Sequence, residues 1–164
     1  MKSVNAVVLS GLMLSACAHA APACRAGDMG LKLDDRNGEF NGMSQSGTML
    51  VMRNTGKVTC TLGVLPEVAF DDADHHLLSA ERRVPRGMHP GPVLMPVQLR
   101  VGKEATSRLH WVASDVFDGG HCIRPARLSV SLEGKSLHVP FGRMMCAPAG
   151  SDAYFDQQPF QPAG

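Results

Sequence analysis

The chain has 164 residues, with Lys+Arg 16 against Asp+Glu 15, a formal net charge of +1 and 44% hydrophobic residues. Near-neutral balance excludes the basic footprint that nucleic acids and anionic surfaces require, so no nucleic-acid partner is expected. The length suits one ordinary domain with its own core.

The first residues read as an export signal. Met1-Lys2 precede an apolar run from Val4 to Leu14, interrupted by Asn5, Ser10 and Gly11, and small residues follow at Ala16, Ala18, Ala20 and Ala21. The run falls short of the ~20 residues that cross a bilayer as a helix, so residues 1–20 are expected to be a signal peptide. Two cleavage chemistries fit. Ala18-His19-Ala20 suits a cut that leaves Ala21 first, whereas Leu14-Ser15-Ala16-Cys17 resembles a bacterial lipobox, in which Cys17 is lipidated and becomes the first mature residue. The apolar run ends directly against the lipobox, which favours Cys17. Acyl chains there would anchor the protein firmly, at about 0.8 kcal/mol per buried methylene. The expected location is extracytoplasmic: periplasm or outer-membrane-anchored lipoprotein, with a secreted form as the alternative.

Of the five cysteines, setting Cys17 aside leaves Cys24, Cys60, Cys122 and Cys146. An even number in an oxidising compartment predicts two disulfides. Three pairings are open. Local closure favours Cys24 with Cys60 and Cys122 with Cys146, at roughly 3 to 4 kcal/mol each in the loop-entropy picture. A zinc site is disfavoured because no C-x-x-C pair starts one.

Apolar periodicity of two then dominates the chain. Leu31 and Leu33 alternate with Lys32 and Asp34 as a first strand, and the turn residues Asp34 to Gly38 open a loop that runs from Asn37 to Gly47. Met49 to Met52 is apolar on both faces, as in a central strand. Asn54-Thr55-Gly56-Lys57 turns the chain into Val58 to Leu62, which carries Cys60 and Leu62 on one face. Pro66 to Phe70 is another strand, ended by Asp71-Asp72-Ala73-Asp74. Glu81 to Pro96, crowded with Arg, Gly and Pro, is confined to loop or sheet edge. Val97, Leu99 and Val101 alternate, then Leu109, Trp111 and Ala113, with Trp111 expected in the core near a disulfide. Arg127 to Phe141 reads as a hairpin turning at Glu133-Gly134. The sum, about eight short strands, predicts an all-β, immunoglobulin-like antiparallel β-sandwich over residues 24–146. The Pro, Gly, Ser and Gln composition after Ala147 predicts a flexible tail over 147–164.

Chemistry-bearing residues are sparse. Thioether and imidazole are a Cu(I) ligand set, and Met88-His89 with Met95, or Met144-Met145 near His138, are the candidates. Met49 and Met52 point to opposite faces of a strand, as do His75 and His76, and methionine also fills irregular cores. Gly42 to Gly47 nearly spells the G-x-S-x-G elbow, but Ser46 occupies the final glycine position, so no nucleophile is expected. Glu67, Asp71, Asp72 and Asp74 lack EF-hand spacing and read as a turn. Arg82, Arg83, Arg86 and His89 form the best basic patch, read as a solvated loop. No catalytic residue and no cofactor is expected.

A cysteine opening the domain, Arg53-Asn54-Thr55-Gly56, Cys60-Thr61-Leu62-Gly63 with Pro66, Leu109-His110-Trp111, and the late cysteines 122 and 146 together resemble the exported bacterial family catalogued as domain of unknown function 4232. Gly63-Val64-Leu65-Pro66 carries one residue more than the family pattern there. The resemblance implies an immunoglobulin-like sandwich, extracytoplasmic and often lipid-anchored, with no established activity. The function expected is a non-enzymatic binding or structural module of the bacterial cell envelope. It would meet an envelope protein or other macromolecule, and the membrane through its lipid anchor only. The alternative is a periplasmic copper-binding protein using Met88, His89 and Met95.

Overall fold

The computed structural model describes residues 20–83 and 94–164. Among these, a 3-10 turn at Ala26–Asp28 leads into β1 (Met29–Asp34), and a second at Arg36–Gly38 precedes β2 (Gln45–Asn54). There follow β3 (Cys60–Leu62), β4 (Glu67–Asp71), β5 (Leu77–Leu78), β6 (Ala80–Arg83), β7 (Val97–Leu99), β8 (Glu104–Val112) and β9 (His121–Ile123). The chain continues through β10 (Arg127–Leu132), β11 (Lys135–Pro140), β12 (Met145–Ala147), β13 (Ala153–Gln157) and β14 (Gln161–Pro162). The fold is all-β, as the period-two pattern predicts.

A six-stranded sheet runs β1-β2-β8-β13-β6, with β14 also paired to β8, and a four-stranded sheet runs β11-β10-β4-β5. The two-stranded pairs β12-β9 and β3-β7 flank them. Alternation sends Leu50, Met52, Leu109, Trp111 and Phe155 of the larger sheet inward, and Val68, Phe70, Leu128 and Val130 of the smaller one, all of them buried. The layers meet edge-to-face where Phe70 of β4 lies 5.3 Å from Phe155 of β13 and 5.0 Å from Phe141. Such aromatic pairs add about 0.5 to 1.5 kcal/mol beyond burial. Trp111 is 1% exposed, as expected of a core residue, and its indole N–H donates to the Met144 carbonyl at 2.9 Å.

The Arg127–Phe141 hairpin forms in the expected register, Leu132 opposite Lys135. Its two-residue turn has positive φ at both Glu133 (47°) and Gly134 (74°), the type I′ geometry whose twist matches that of the strands. The disulfides are Cys24–Cys60 and Cys122–Cys146, the locally closed pairing. Cys122 and Cys146 stand directly opposite each other in β9 and β12.

Two expectations are corrected. The stretch 147–164 is not a flexible tail: β13 inserts between β8 and β6, and Ala153, Phe155, Gln157 and Phe160 are buried. Composition signals disorder only where a segment finds no partner, and here two open strand edges supply one. The pairing of β13 with β6 is parallel, an exception to the antiparallel rule of the other ladders. The loop expected from Asn37 to Gly47 ends early, because β2 starts at Gln45 to match the full length of β8. Glu81 to Pro96 behaves as expected where it is described, with β6 at the edge of the larger sheet. Cys17 and the expected signal peptide up to residue 19 lie outside the described residues, and among those described no helix is long and apolar enough to cross a membrane.

Candidate functional site

The inward set of the six-stranded sheet fixes its complement. Thr106, Arg108 and His110 of β8, Tyr154 and Asp156 of β13 and Arg83 of β6 stand on the outer face. One row crosses four strands: Gly47 opposite His110, His110 opposite Asp156, and Asp156 opposite Arg83.

Gly47 is the position where this row admits something else. A Cβ placed there would lie 2.8 Å from the Cβ of Phe40 and 2.7 Å from the Leu109 carbonyl oxygen, so Phe40 is seated over the glycine. The loop that carries Glu39 and Phe40 is held from several directions. Positive φ at Arg36, Asn37 and Gly38 reverses the chain, Thr48 Oγ1 donates to Asp35 Oδ1 at 2.8 Å, and Arg143 bonds both the Asp35 carboxylate and the Gly47 carbonyl. At the far end, Ser46 Oγ donates to Asn41 Oδ1 at 2.7 Å. Burial raises the Asp35 pKa, but the hydrogen bonds from Arg143 and Thr48, with the charge of Arg143, outweigh it and hold the carboxyl below its usual range.

Together these elements enclose a cleft of about 680 Å³, lined by Glu39, Phe40, Arg108, His110, Asp156, Gln158, Pro159 and Gln161. The link from β13 to β14 forms its third wall. That link is tied down where Gln158 N–H donates to the Arg108 carbonyl at 2.9 Å and Ser107 Oγ donates to the Gln158 carbonyl. Glu39, Arg108 and Asp156 form no ion pair among the described residues. Charged groups of both signs are therefore available to an incoming molecule, beside amides, an imidazole and an aromatic ring.

The residues singled out in the sequence are dispersed. Met88 and His89 lie outside the described residues, and Met95 is 75% exposed. Met145 is fully buried in the core, whereas Met144 is half-buried with its sulfur 4.0 Å from an Arg124 nitrogen. His75 and His76 diverge, His75 Nε2 lying 3.0 Å from an Arg127 nitrogen and His76 Nδ1 3.2 Å from Asp72 Oδ2. Asp72 behaves as a turn residue: its Oδ1 accepts the backbone N–H groups of Asp74 and His76, each at 2.9 Å. The His76 backbone bond is the main cause of the lowered Asp72 pKa, and burial opposes it. Ligating atoms of Asp72, Asp74 and His76 do converge within 4.8 Å, on an exposed turn.

Of the basic patch, Arg86 and His89 lie outside the described residues, and the other two arginines are engaged. Arg82 donates to the carbonyls of Leu65 and Pro66 and to Gln157 Oε1, and the Arg83 guanidinium sits 3.1 Å above the Tyr154 ring. These arginines hold the C-terminal strand in place. The sequence reading missed the cleft. The outward placement of Arg108 and His110 follows from the alternation of β8, but Asp156 and Gln158 fell in the segment taken for a tail.

A family model described as domain of unknown function (DUF4232) matches residues 24–161, and so takes in β13 and the start of β14. No curated protein and no solved structure matches the chain.

Proposed function

Because the chain belongs to the domain of unknown function (DUF4232) family, whose description specifies no activity, we propose from the site itself that it is a non-enzymatic binding module of the bacterial cell envelope. Its N-terminal signal exports it, and cleavage directly before Cys17 leaves it tethered through that residue. The observation that carries this reading is the cleft over Gly47. It is a preformed concavity within the size range of small-ligand sites, with charged and amide groups set among apolar surface and a floor built on strands. The two disulfides support the compartment, since such bonds persist where the surroundings are oxidising.

Mass spectrometry of the protein released intact from the envelope of its own host, with and without reductant, tests the proposal. The expected species begins at Cys17 with added acyl mass and gains four hydrogens on reduction, two for each disulfide. A chain that begins at Ala21 without acyl mass is the soluble form of the same module. A chain that retains residues 1–16 and stays in the cytoplasm overturns the proposal. Copper retained in the same spectrum favours the reading built on Met88, His89 and Met95.

A further inference from the structure

We propose that the cleft over Gly47 is a sugar-binding site that takes a neutral glycan unit; this deepens the binding-module reading and rests on it.

Three observations narrow the ligand. The first is charge. The cleft sets the carboxylates of Glu39 and Asp156 against the single guanidinium of Arg108, none of them paired within the described protein. A polyanion would meet two carboxylates, and a simple cation would meet Arg108, so neither charge type is favoured. A ring of hydroxyls, each both donor and acceptor, satisfies carboxylate, guanidinium, imidazole and the Gln158 amide together.

The second is shape. Phe40 forms an aromatic wall whose position depends on the missing side chain at residue 47, where a Cβ would fall within 2.8 Å of the Phe40 Cβ. The C–H face of a sugar ring packs on such a ring while its hydroxyls reach the planar polar groups around it.

The third concerns the backbone. β8 is hydrogen-bonded on one side to β2 and on the other to β13 and β14, so the floor of the cleft offers side chains and no free strand edge. An extended peptide is ordinarily captured by adding a strand to an open edge, and this floor has none. Recognition here runs through side chains alone, which suits a sugar.

The test is an amide NMR titration of the processed, disulfide-bonded protein recovered from its host. The probes are maltohexaose, cellohexaose and chitohexaose, with the tripeptide Ala-Ala-Ala as the competing class. At least one oligosaccharide is expected to shift the amides of Gly47, His110 and Gln158. Phe40→Ala should then weaken that binding about tenfold, the upper end of an aromatic contact. Asp156→Asn, an exposed near-isosteric change, should weaken it while leaving the unfolding midpoint in place, which separates ligand contact from folding. Shifts at these amides from the tripeptide but from no sugar overturn the ligand class and leave the binding module standing. Silence at these amides from all four probes, or sugar binding that is indifferent to both substitutions, overturns the site. Cytoplasmic retention in the envelope experiment counts against the module alone.

Discussion

Replacing Phe155 with alanine removes a ring that is 1% exposed, stands opposite Trp111 in the β13–β8 ladder and meets Phe70 of the other layer at 5.3 Å. Deleting a buried phenylalanine costs roughly 3 to 5 kcal/mol, from lost transfer energy and the cavity left behind. For a domain of this size, about 4 kcal/mol lowers the thermal midpoint by roughly 10 to 15 °C. It moves the urea midpoint by about 2 M. Trp111 is the chain's one tryptophan and is buried, so its emission reports the transition directly. Val116→Ala, at a side chain 56% exposed, serves as the control and should stay within about 0.5 kcal/mol of the parent. A loss below about 1 kcal/mol at Phe155 would mean that the C-terminal strand is not part of the core, and would refute its placement between β8 and β6.

Asn54 is 1% exposed; its Nδ2 donates to the carbonyls of Val58 and Leu99, and its Oδ1 accepts the Gly56 N–H. Asn54→Ala removes these three hydrogen bonds and should cost about 2 to 3 kcal/mol in urea unfolding; a cost under 1 would deny the network its role. Converting each cysteine pair to alanine should cost about 3.8 kcal/mol for the bond spanning 36 residues and about 3.4 for the one spanning 24, in the loop-entropy picture. Equilibrium unfolding of the two double variants checks both values, and a cost near zero for either would place that bond outside the folded core. The lowered pKa of Asp35 gives stability that is present above its unfolded pKa and lost as pH falls through the folded value. Below about pH 4, the parent should therefore lose stability faster than Asp35→Asn, and parallel acid limbs would show that the Arg143 and Thr48 bonds make no difference.

What could be read from the residues was what depends on near neighbours. Leu128, Val130 and Leu132 against Leu137 and Val139, around Glu133-Gly134, carry both strand and turn signals within one stretch, so the hairpin was legible. Leu109 and Trp111 showed their buried face by alternation, and the four cysteines showed their use by number and compartment. What could not be read depends on distant pairing. Tyr154-Phe155-Asp156 looked like residues scattered through a linker because their partners, Trp111, His110 and Arg83, lie far away in the chain. Arg82 and Arg83 looked like a solvated patch for the same reason, since the carbonyls and the tyrosine ring that engage them come from other elements. The cleft needs Phe40, His110 and Asp156 at once, and only the strand register brings them together.

The insertion of β13 between β8 and β6 also orders events in time. The chain is made from its N-terminus, so β1, β2 and β8 can zip together while β13 does not yet exist. Until residues 153–157 emerge, β8 keeps a bare edge, β6 has no neighbour in the larger sheet, and the place Phe155 will fill stands open. Closure of the main sheet is thus a late event, a keystone set from the far end of the chain. Any premature stop upstream of β13 yields a sticky half-sheet rather than a smaller version of the same fold.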